Sequence, residues 1–414
     1  KETETQLKHF YKLQFTKQTL LIPAMSDNNL PPPENQIPAL NFDGLEVFSA
    51  LGRGSKGVVF LVRSDNVSGK WLALKVILKE SIEKNKNKRV SFEQGVLSRF
   101  DHPLFPRLHG VLSTDKVVGY AIDYCPGRDL NTLRKKQSDA MFSDEIIRFY
   151  AAELIIALEY LHNQGIVYRD LKPDNVMIQE NGHLMLVDFD LSTNLAPRTP
   201  QSSPATARHS TGTNKERFFP FSVFCNSGIS PDDSVSTVAE SAGEKLNSFV
   251  GTEEYVAPEV IIGSGHDFAV DWWSLGVVLY EMLYGTTPFR GSNRKETFLK
   301  ILTEPPCLVG ETTPLRDLLK KLLEKDPSRR INVDGIKGHG FFSGLEWDLV
   351  VKVSRPPYIP APENYESSKI DVEKFVHEIF AKLDHNGDNN HSNLKGKDQI
   401  NNNTSVDNGS FFVF

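Results

Sequence analysis

The sequence predicts an α+β chain folded as two unequal lobes, a small β-rich lobe over residues 42–124 and a larger helical lobe over 125–342. Three observations carry this. From Phe42 the apolar residues come in short runs, "LEVFSAL", "GVVFLVRS" and "WLALKVIL", separated by Gly, Ser and Asn turns, as a small antiparallel sheet requires. From Asp144 the period changes, and "DEIIRFYAAELIIALEYLHNQG" repeats its apolar residues on one helical face, with Gly165 placed to end the helix. Further on, "AVDWWSLGVVLYEMLYG" is apolar almost all round, which marks a helix buried inside a lobe.

The flanking segments differ in kind. Residues 1–41 lack periodicity and carry "LPPPENQIP", an extended Pro-rich stretch that joins neither a helix nor a central strand, so a disordered extension is expected there. The first residue is lysine, and Met25, ahead of a polar lead into the fold, is expected as the natural start. Residues 192–247 are dense in Ser, Thr and Pro around an aromatic knot, "FFPFSVF", preceded by Arg198, Arg208, Lys215 and Arg217. A segment of that length without period is disordered or functional. Its basic residues beside aromatics suggest peripheral contact with a membrane surface or partner, which its acidic second half weakens. Residues 343–414 form a tail with "RPPYIPAPENY", a short helical pattern "DVEKFVHEIFAKL", an Asn-rich run and a terminal "FFVF".

Composition removes some functions. A net charge of −6 over 414 residues argues against a nucleic-acid binder, whose phosphate contacts need a basic surface. Three widely spaced cysteines fit a reducing compartment, and no apolar run is long enough to span a bilayer or serve as a secretory core. An intracellular protein is expected, in the cytoplasm, nucleus or plasma-membrane periphery.

The chemistry lies in four stretches. "LGRGSKGVVF" sets Gly52, Gly54 and Gly57 between two strand-like runs, where glycine lets backbone N–H groups approach phosphate oxygens. Alone, it reads equally as a hairpin turn, while its strand-and-strand flanks count against a dinucleotide fold. "LALKVI" places Lys75 among apolar strand residues, aimed at a cleft or snorkelling to the surface, and Glu93 on the next helical pattern is a partner for it. "IVYRDLKPDNVMI" sets Asp170, Lys172 and Asn175 in one loop, a carboxylate, an ammonium and a metal-ligating amide at fixed offsets. In "HLMLVDFDLS" a strand ends in Asp188, Phe189 and Asp190, which by itself is an acidic turn and after that loop reads as a second metal carboxylate. Glycine loop, strand lysine, helix glutamate, catalytic loop and metal aspartate follow one another in the order of the protein-kinase signatures.

The chain therefore resembles the protein kinases from about Phe42 to Phe342, with their bilobal fold. "YRD", "SFVGTEEYVAPE" and the terminal "FFVF" are similar to the AGC group, and Asp190 in place of glycine with the insertion before "SFVGT" resembles the plant AGC VIII kinases, their oxidative-signal-inducible branch most of all. The resemblance implies ATP and Mg2+ as cofactors. It assigns Leu51, Gly52, Arg53, Gly54, Ser55, Gly57, Val59, Ala73, Ile122 and the hinge from Asp123 to Cys125 to nucleotide contact, with Asp129 beside them. Lys75 would hold the phosphates and Glu93 orient it. Asp170 would accept the substrate proton, Lys172 would stabilise the moving phosphoryl group, and Asn175 with Asp188 would hold magnesium. Asp271 and a Glu259–Arg330 pair would be structural.

Asp129, Asp174 and Glu281 match positions where basophilic relatives hold substrate arginines, although each alone is an ordinary solvated charge. Thr252, in contact with Asp170, implies Ser/Thr specificity. Ser248 is the expected phosphorylation site, its phosphate pairing with Arg169. Phe411 and Phe414 form an F-x-x-F end expected to dock on a hydrophobic small-lobe pocket, the chain's own or that of an upstream phosphoinositide-dependent kinase. A monomer acting on proteins with Ser or Thr near basic residues follows. The other readings are a pseudokinase scaffold, supported by Asp190 and the insertion, and an adaptor built on the disordered regions. "LDHNGDNNHSNLK" imitates a calcium loop but has Asn389 where glycine is required and Lys395 in place of the bidentate Glu, so it reads as tail. Cys125 is a candidate redox-sensitive thiol or a structural cysteine.

Overall fold

The computed structural model describes residues 37–54, 57–64, 69–80, 87–195, 252–265, 267–354, 356–361, 370–387 and 412–413. Of the expected sites, Ser55, Ser248, Phe411 and Phe414 lie outside these residues, as does the 192–247 insertion beyond Leu195.

The small lobe is a twisted sheet of β1 (Ala39–Leu40), β2 (Leu45–Arg53), β3 (Gly57–Ser64), β4 (Trp71–Leu78), β5 (Leu108–Ser113), β6 (Val117–Asp123) and β11 (Phe412–Val413), ordered β1-β5-β6-β4-β3-β2-β11. The runs read from sequence as strands β2, β3 and β4 pair antiparallel. Ala39 and Leu40, within the segment expected to be a disordered extension, instead add a parallel strand to β5, and Leu40 is buried. Helix α1 (Asn87–Leu97) crosses the cleft face of the sheet, where its Glu93 meets Lys75 of β4.

The large lobe follows α2 (Leu130–Lys135) and is built on α3 (Asp144–Asn163) and α5 (Ala269–Tyr284), with α4 (Pro258–Ile262), α6 (Arg294–Thr303), α7 (Pro314–Leu322) and α8 (Val333–Lys337) around them. Asp144 and Glu145 sit in the first turn of α3, where carboxylates favour the positive end of the helix dipole, and Gly165, at φ 73°, turns the chain after it. Every residue of α5 from Val270 to Met282 is buried, as its all-round apolar sequence requires. Two short antiparallel pairings, β7 (Ile166–Val167) with β10 (Thr193–Asn194) and β8 (Val176–Ile178) with β9 (Leu184–Leu186), fix the loops that carry the chemistry.

Buried charge ties these elements together. Arg330 donates to both Glu259 oxygens, at 2.6 and 2.9 Å, and to the Ala269 and Glu324 carbonyls. His183, in the β8–β9 turn, meets Glu153 of α3 through Nδ1 and donates from Nε2 to the Val353 carbonyl at 2.9 Å. The start of the tail is thereby bound to the large lobe. Helix α9 (Val372–Gly387) continues through Asp384, so the calcium-loop imitation begins as helix. Among the described residues no helix is long and apolar enough to cross a membrane.

Candidate active site

Strand register lines up the residues expected to meet nucleotide before any side chain is considered. Gly52 pairs with Val59, Val59 with Lys75, Lys75 with Tyr120, and Ala73 with Ile122, so the four strands present these residues in rows across the sheet. The glycine loop closes through the Gly54 N–H, which donates to the Gly57 carbonyl at 2.8 Å. None of Gly52, Gly54 and Gly57 is among the residues with left-handed backbone. At Gly57 the requirement is space: a Cβ there would stand 2.4 Å from the Val76 carbonyl oxygen.

Lys75 points into the cleft and is not a snorkelling surface residue. Its Nζ donates to both oxygens of Glu93 at 3.2 Å and to Asp188 Oδ1 at 3.3 Å. Burial alone would favour the neutral amine, but the Asp188 and Glu93 carboxylates outweigh it and hold Lys75 as an ammonium. Asp188 is correspondingly depressed: burial pushes it up, and the Lys75 charge more than reverses that. Glu93 also accepts the Phe189 N–H at 3.1 Å, so one carboxylate fixes both the lysine and the segment holding Asp188.

That segment is held in one conformation. Asp188 has φ 59°, a left-handed backbone uncommon for a non-glycine residue and met at functional sites. Phe189 is fully buried against Phe100, at 4.9 Å between ring centroids, and Tyr168, at 5.5 Å. Asp190 is not among the left-handed residues, so here the position makes no demand for glycine.

The catalytic loop hangs from Asp271 of α5. Its carboxylate accepts the Tyr168 and Arg169 N–H groups at 2.9 and 2.8 Å and contacts His162 Nε2 at 2.8 Å. Tyr168, the tyrosine of "YRD", is buried and donates its hydroxyl to the Val187 carbonyl, next to Asp188. Asp170 then receives Lys172 Nζ at 3.1 Å, Asn175 Nδ2 at 2.9 Å and Thr252 Oγ1 at 3.3 Å, while Lys172 also reaches Thr252 at 3.3 Å. Burial pushes the Asp170 carboxyl up, with Lys172 offsetting it in part. Asn175 is buried, and its carbonyl accepts the Val187 N–H, bringing it next to Asp188. Among the described residues no cluster of three His, Cys, Asp or Glu side chains could hold a metal alone. Asn175 and Asp188 offer the one or two hard oxygen ligands that magnesium takes when phosphates complete its shell, so the residues fit the ion.

The substrate-side carboxylates divide. Asp129 is buried as the N-cap of α2, with both oxygens taken by Thr132 N and Oγ1 at 2.7 Å each. Glu281 is buried between Arg134, at 2.8 Å, and the Tyr255 hydroxyl, at 2.5 Å. Asp174 is half-buried and accepts from Asn131 Nδ2 at 3.0 Å. Burial raises the Glu281 carboxyl, the Tyr255 hydroxyl and Arg134 offset part of the rise, and the Asp174 and Glu254 charges add to it.

In the hinge, the Asp123 side chain turns to His109 Nε2, at 2.7 Å, and the Arg107 N–H, at 2.8 Å. Cys125 is buried with Sγ 3.5 Å from Met185 Sδ, and burial pushes its thiol up, away from thiolate. This corrects the redox-sensor reading, because a reactive cysteine needs access and a stabilised thiolate. Arg169 donates to the Leu191 carbonyl at 2.7 Å, and burial lowers its guanidinium to about 10, with Arg89 of α1 adding like charge. Sequence reasoning missed Arg89, whose only signal was a basic residue one helical turn before Glu93.

The protein kinase domain family model matches residues 45–215 and 234–342. The chain is 66% identical to serine/threonine-protein kinase OXI1 of Arabidopsis thaliana, over 92% of this chain and 99% of that protein. It is 40% identical to serine/threonine-protein kinase UCN of the same plant, over 86% and 94%. Identity to phototropin-1A of Oryza sativa subsp. japonica is 41%, over 78% of this chain and 34% of that longer protein.

Proposed function

The chain belongs to the protein kinases, as a serine/threonine-protein kinase of the plant AGC group, and from that membership we propose that it moves the γ-phosphoryl of ATP to Ser or Thr beside basic residues. The observation that supports this most is the placement of the Lys75 ammonium between Glu93 and Asp188. A nucleotide in the cleft would meet Lys75 at its phosphates, under the Gly52–Gly57 loop, with Val59, Ala73 and Ile122 along the base. Asn175 and Asp188 would hold magnesium, which supplies neutralisation of the phosphate charge. Asp170 accepts the hydroxyl proton, and Lys172, between Asp170 and Thr252, faces the charge that spreads over the transferring group. Thr252 at Asp170 favours a small alcohol over a phenol.

Basic selectivity draws on the crowded carboxylates Asp174, Glu254 and Glu281. With Asp129 engaged in its cap, Asp174 is the foremost contact. Activation would follow phosphorylation of Ser248, the phosphate pairing with Arg169 and Arg89, after an upstream phosphoinositide-dependent kinase engages Phe411 and Phe414. These steps rest on sequence and on the two facing arginines, and an intracellular monomer suits them.

The test is incubation of the full chain with ATP, magnesium and an arginine-oriented peptide library, beside Lys75→Met. Phosphate on Ser or Thr with arginine selected upstream is expected, the selection fading in Asp174→Ala. Absence of transfer, or equal transfer by Lys75→Met, refutes the assignment. Normal Ser248 phosphorylation by the upstream enzyme after Phe411→Ala with Phe414→Ala, read by mass spectrometry, refutes the docking step.

A further inference from the structure

Successive side chains of a strand turn to opposite faces of its sheet, and the end of β6 puts this to use. Ile122, opposite Ala73 of β4, turns to the cleft, so Asp123, the first residue of the hinge, turns to the back of it. There the neighbouring strand carries a bulge. The β5–β6 register passes from Leu108 opposite Ile122 to Gly110 opposite Ala121, which leaves His109 as an extra residue on β5. A bulge re-aims the side chain it carries, and this one brings His109 Nε2 to 2.7 Å from Asp123 Oδ1.

The Asp123 carboxylate is held from two sides. Its other oxygen, Oδ2, accepts the Arg107 N–H at 2.8 Å, so Asp123 closes a clamp on the residues that enter the bulge. The pair is mostly out of solvent, with 14% of the His109 side chain and 26% of the Asp123 side chain exposed, and water weakens it less than it would a pair on an open surface. Burial alone would raise the Asp123 carboxyl, but the His109 and Arg107 bonds bring it below its ordinary value and keep it a charged acceptor. The bulge is backed on its other side. The Val111 N–H donates to the Pro38 carbonyl at 3.0 Å, just ahead of β1, and a Cβ on Gly110 would stand 2.6 Å from Leu40 Cγ. His109 is thus wedged between β1 and the hinge.

We propose that His109 is a positioning residue for the nucleotide base, acting through Asp123 on the hinge. Its bond to Asp123 holds the hinge backbone from Asp123 to Cys125 in the arrangement that pairs with the edge of the adenine. Without that donor Asp123 keeps only the Arg107 N–H, and the hinge samples other arrangements. The base must then select a smaller competent fraction, and apparent affinity falls by that fraction. Once nucleotide is bound the arrangement is restored, so turnover is unchanged. The effect is confined to the base end of the site, because the hydrogen bonds of Lys75, Glu93 and Asp188 at the phosphate end involve neither His109 nor Asp123. The proposal rests on the phosphotransfer reading.

The test uses the full chain and three variants. His109→Ala removes ring and donor, His109→Phe keeps a ring without a donor, and His109→Gln returns an N–H near the place of Nε2. Adenosine, MgATP and magnesium tripolyphosphate are each titrated by calorimetry, and KM for ATP and kcat are measured with a peptide substrate. Adenosine reports the base end alone and tripolyphosphate the phosphate end alone. In His109→Ala and His109→Phe, Kd for adenosine, Kd for MgATP and KM for ATP should rise together by about three- to tenfold, while kcat and tripolyphosphate affinity stay within about twofold. His109→Gln should recover adenosine affinity to within about twofold of the unaltered chain.

Unchanged adenosine affinity in His109→Phe would overturn the proposal. So would equal losses of adenosine and tripolyphosphate affinity, the mark of a small lobe loosened throughout, or a His109→Gln variant as weak as His109→Phe. If His109→Ala does not fold, the contrast between His109→Phe and His109→Gln decides. An unaltered chain that binds neither adenosine nor MgATP removes the phosphotransfer reading itself, an outcome distinct from a chain that binds both whatever side chain stands at position 109.

Discussion

Replacing Asp170 by Asn tests the site with little change of shape. The carboxylate accepts from Lys172, Asn175 and Thr252 at 2.9 to 3.3 Å, and the amide keeps one acceptor while turning an N–H₂ toward one of these donors. Proton acceptance is lost outright, because an amide does not take the hydroxyl proton. General-base catalysis is worth roughly 10²- to 10⁴-fold, which at 1.36 kcal/mol per decade is about 2.7–5.4 kcal/mol of barrier. Lys172 and Asn175 both donate to Oδ2 and Thr252 to Oδ1, so the amide oxygen keeps the Lys172 side and its N–H₂ turns to the Thr252 hydroxyl, which can accept; the loss is that of proton acceptance. Lys75, Glu93 and Asp188 make no hydrogen bond to Asp170, so nucleotide affinity should hold. The assay is steady-state peptide phosphorylation with separate KM values for ATP and peptide, alongside nucleotide binding by calorimetry. A kcat within about tenfold of the unaltered enzyme, with nucleotide binding intact, would refute the role of Asp170 as proton acceptor.

Two further outcomes follow from the same geometry. Asp190→Gly should remain active, since the proposed metal carboxylate is Asp188 and Asp190 needs no left-handed backbone; the added freedom should cost about 0.5–1 kcal/mol of stability, read by thermal denaturation, and activity as low as that of Asp188→Ala would contradict this. For His183, the Nε2 donates to the Val353 carbonyl and Nδ1 shares a proton with the Glu153 carboxyl, which burial raises. Burial lowers its pKa, but the Glu153 bond and charge raise it further, leaving it above the ordinary 6.5. A raised histidine contributes stability that is fully present below the unfolded value and is lost as pH rises through the folded value. Melting temperature should therefore fall on going upward from about pH 6.5, and His183→Gln should flatten that slope; an unchanged slope counts against the charged pair.

The sequence alone determined which residues can do the chemistry, because that information is local. Gly52 to Gly57, Lys75, Asp170 to Asn175 and Asp188 stand at offsets set by strand, loop and turn within short stretches, and each motif remains readable however the chain folds elsewhere. The lobes were legible for the same reason, as α5 shows: a helix apolar on all sides has to be buried. What the tertiary structure decided depends on contacts between distant residues. Lys75 meets Asp188 across a separation of 113 residues, and Glu93 is confirmed as its partner only by the path of α1 over the sheet. The carboxylates Asp129, Asp174 and Glu281 look alike in sequence, yet one caps a helix, one pairs with Arg134 and one stays half-exposed. Gly57 is required by a carbonyl on the neighbouring strand, not by its own dihedral angles. The apolar stripe of α9 is visible as a period, but a period does not say which surface the stripe covers. That depends on the outer face left open by β3 and β4, a surface that exists only after the sheet has formed, because burial is a property of the assembled layers and not of the segment that completes them.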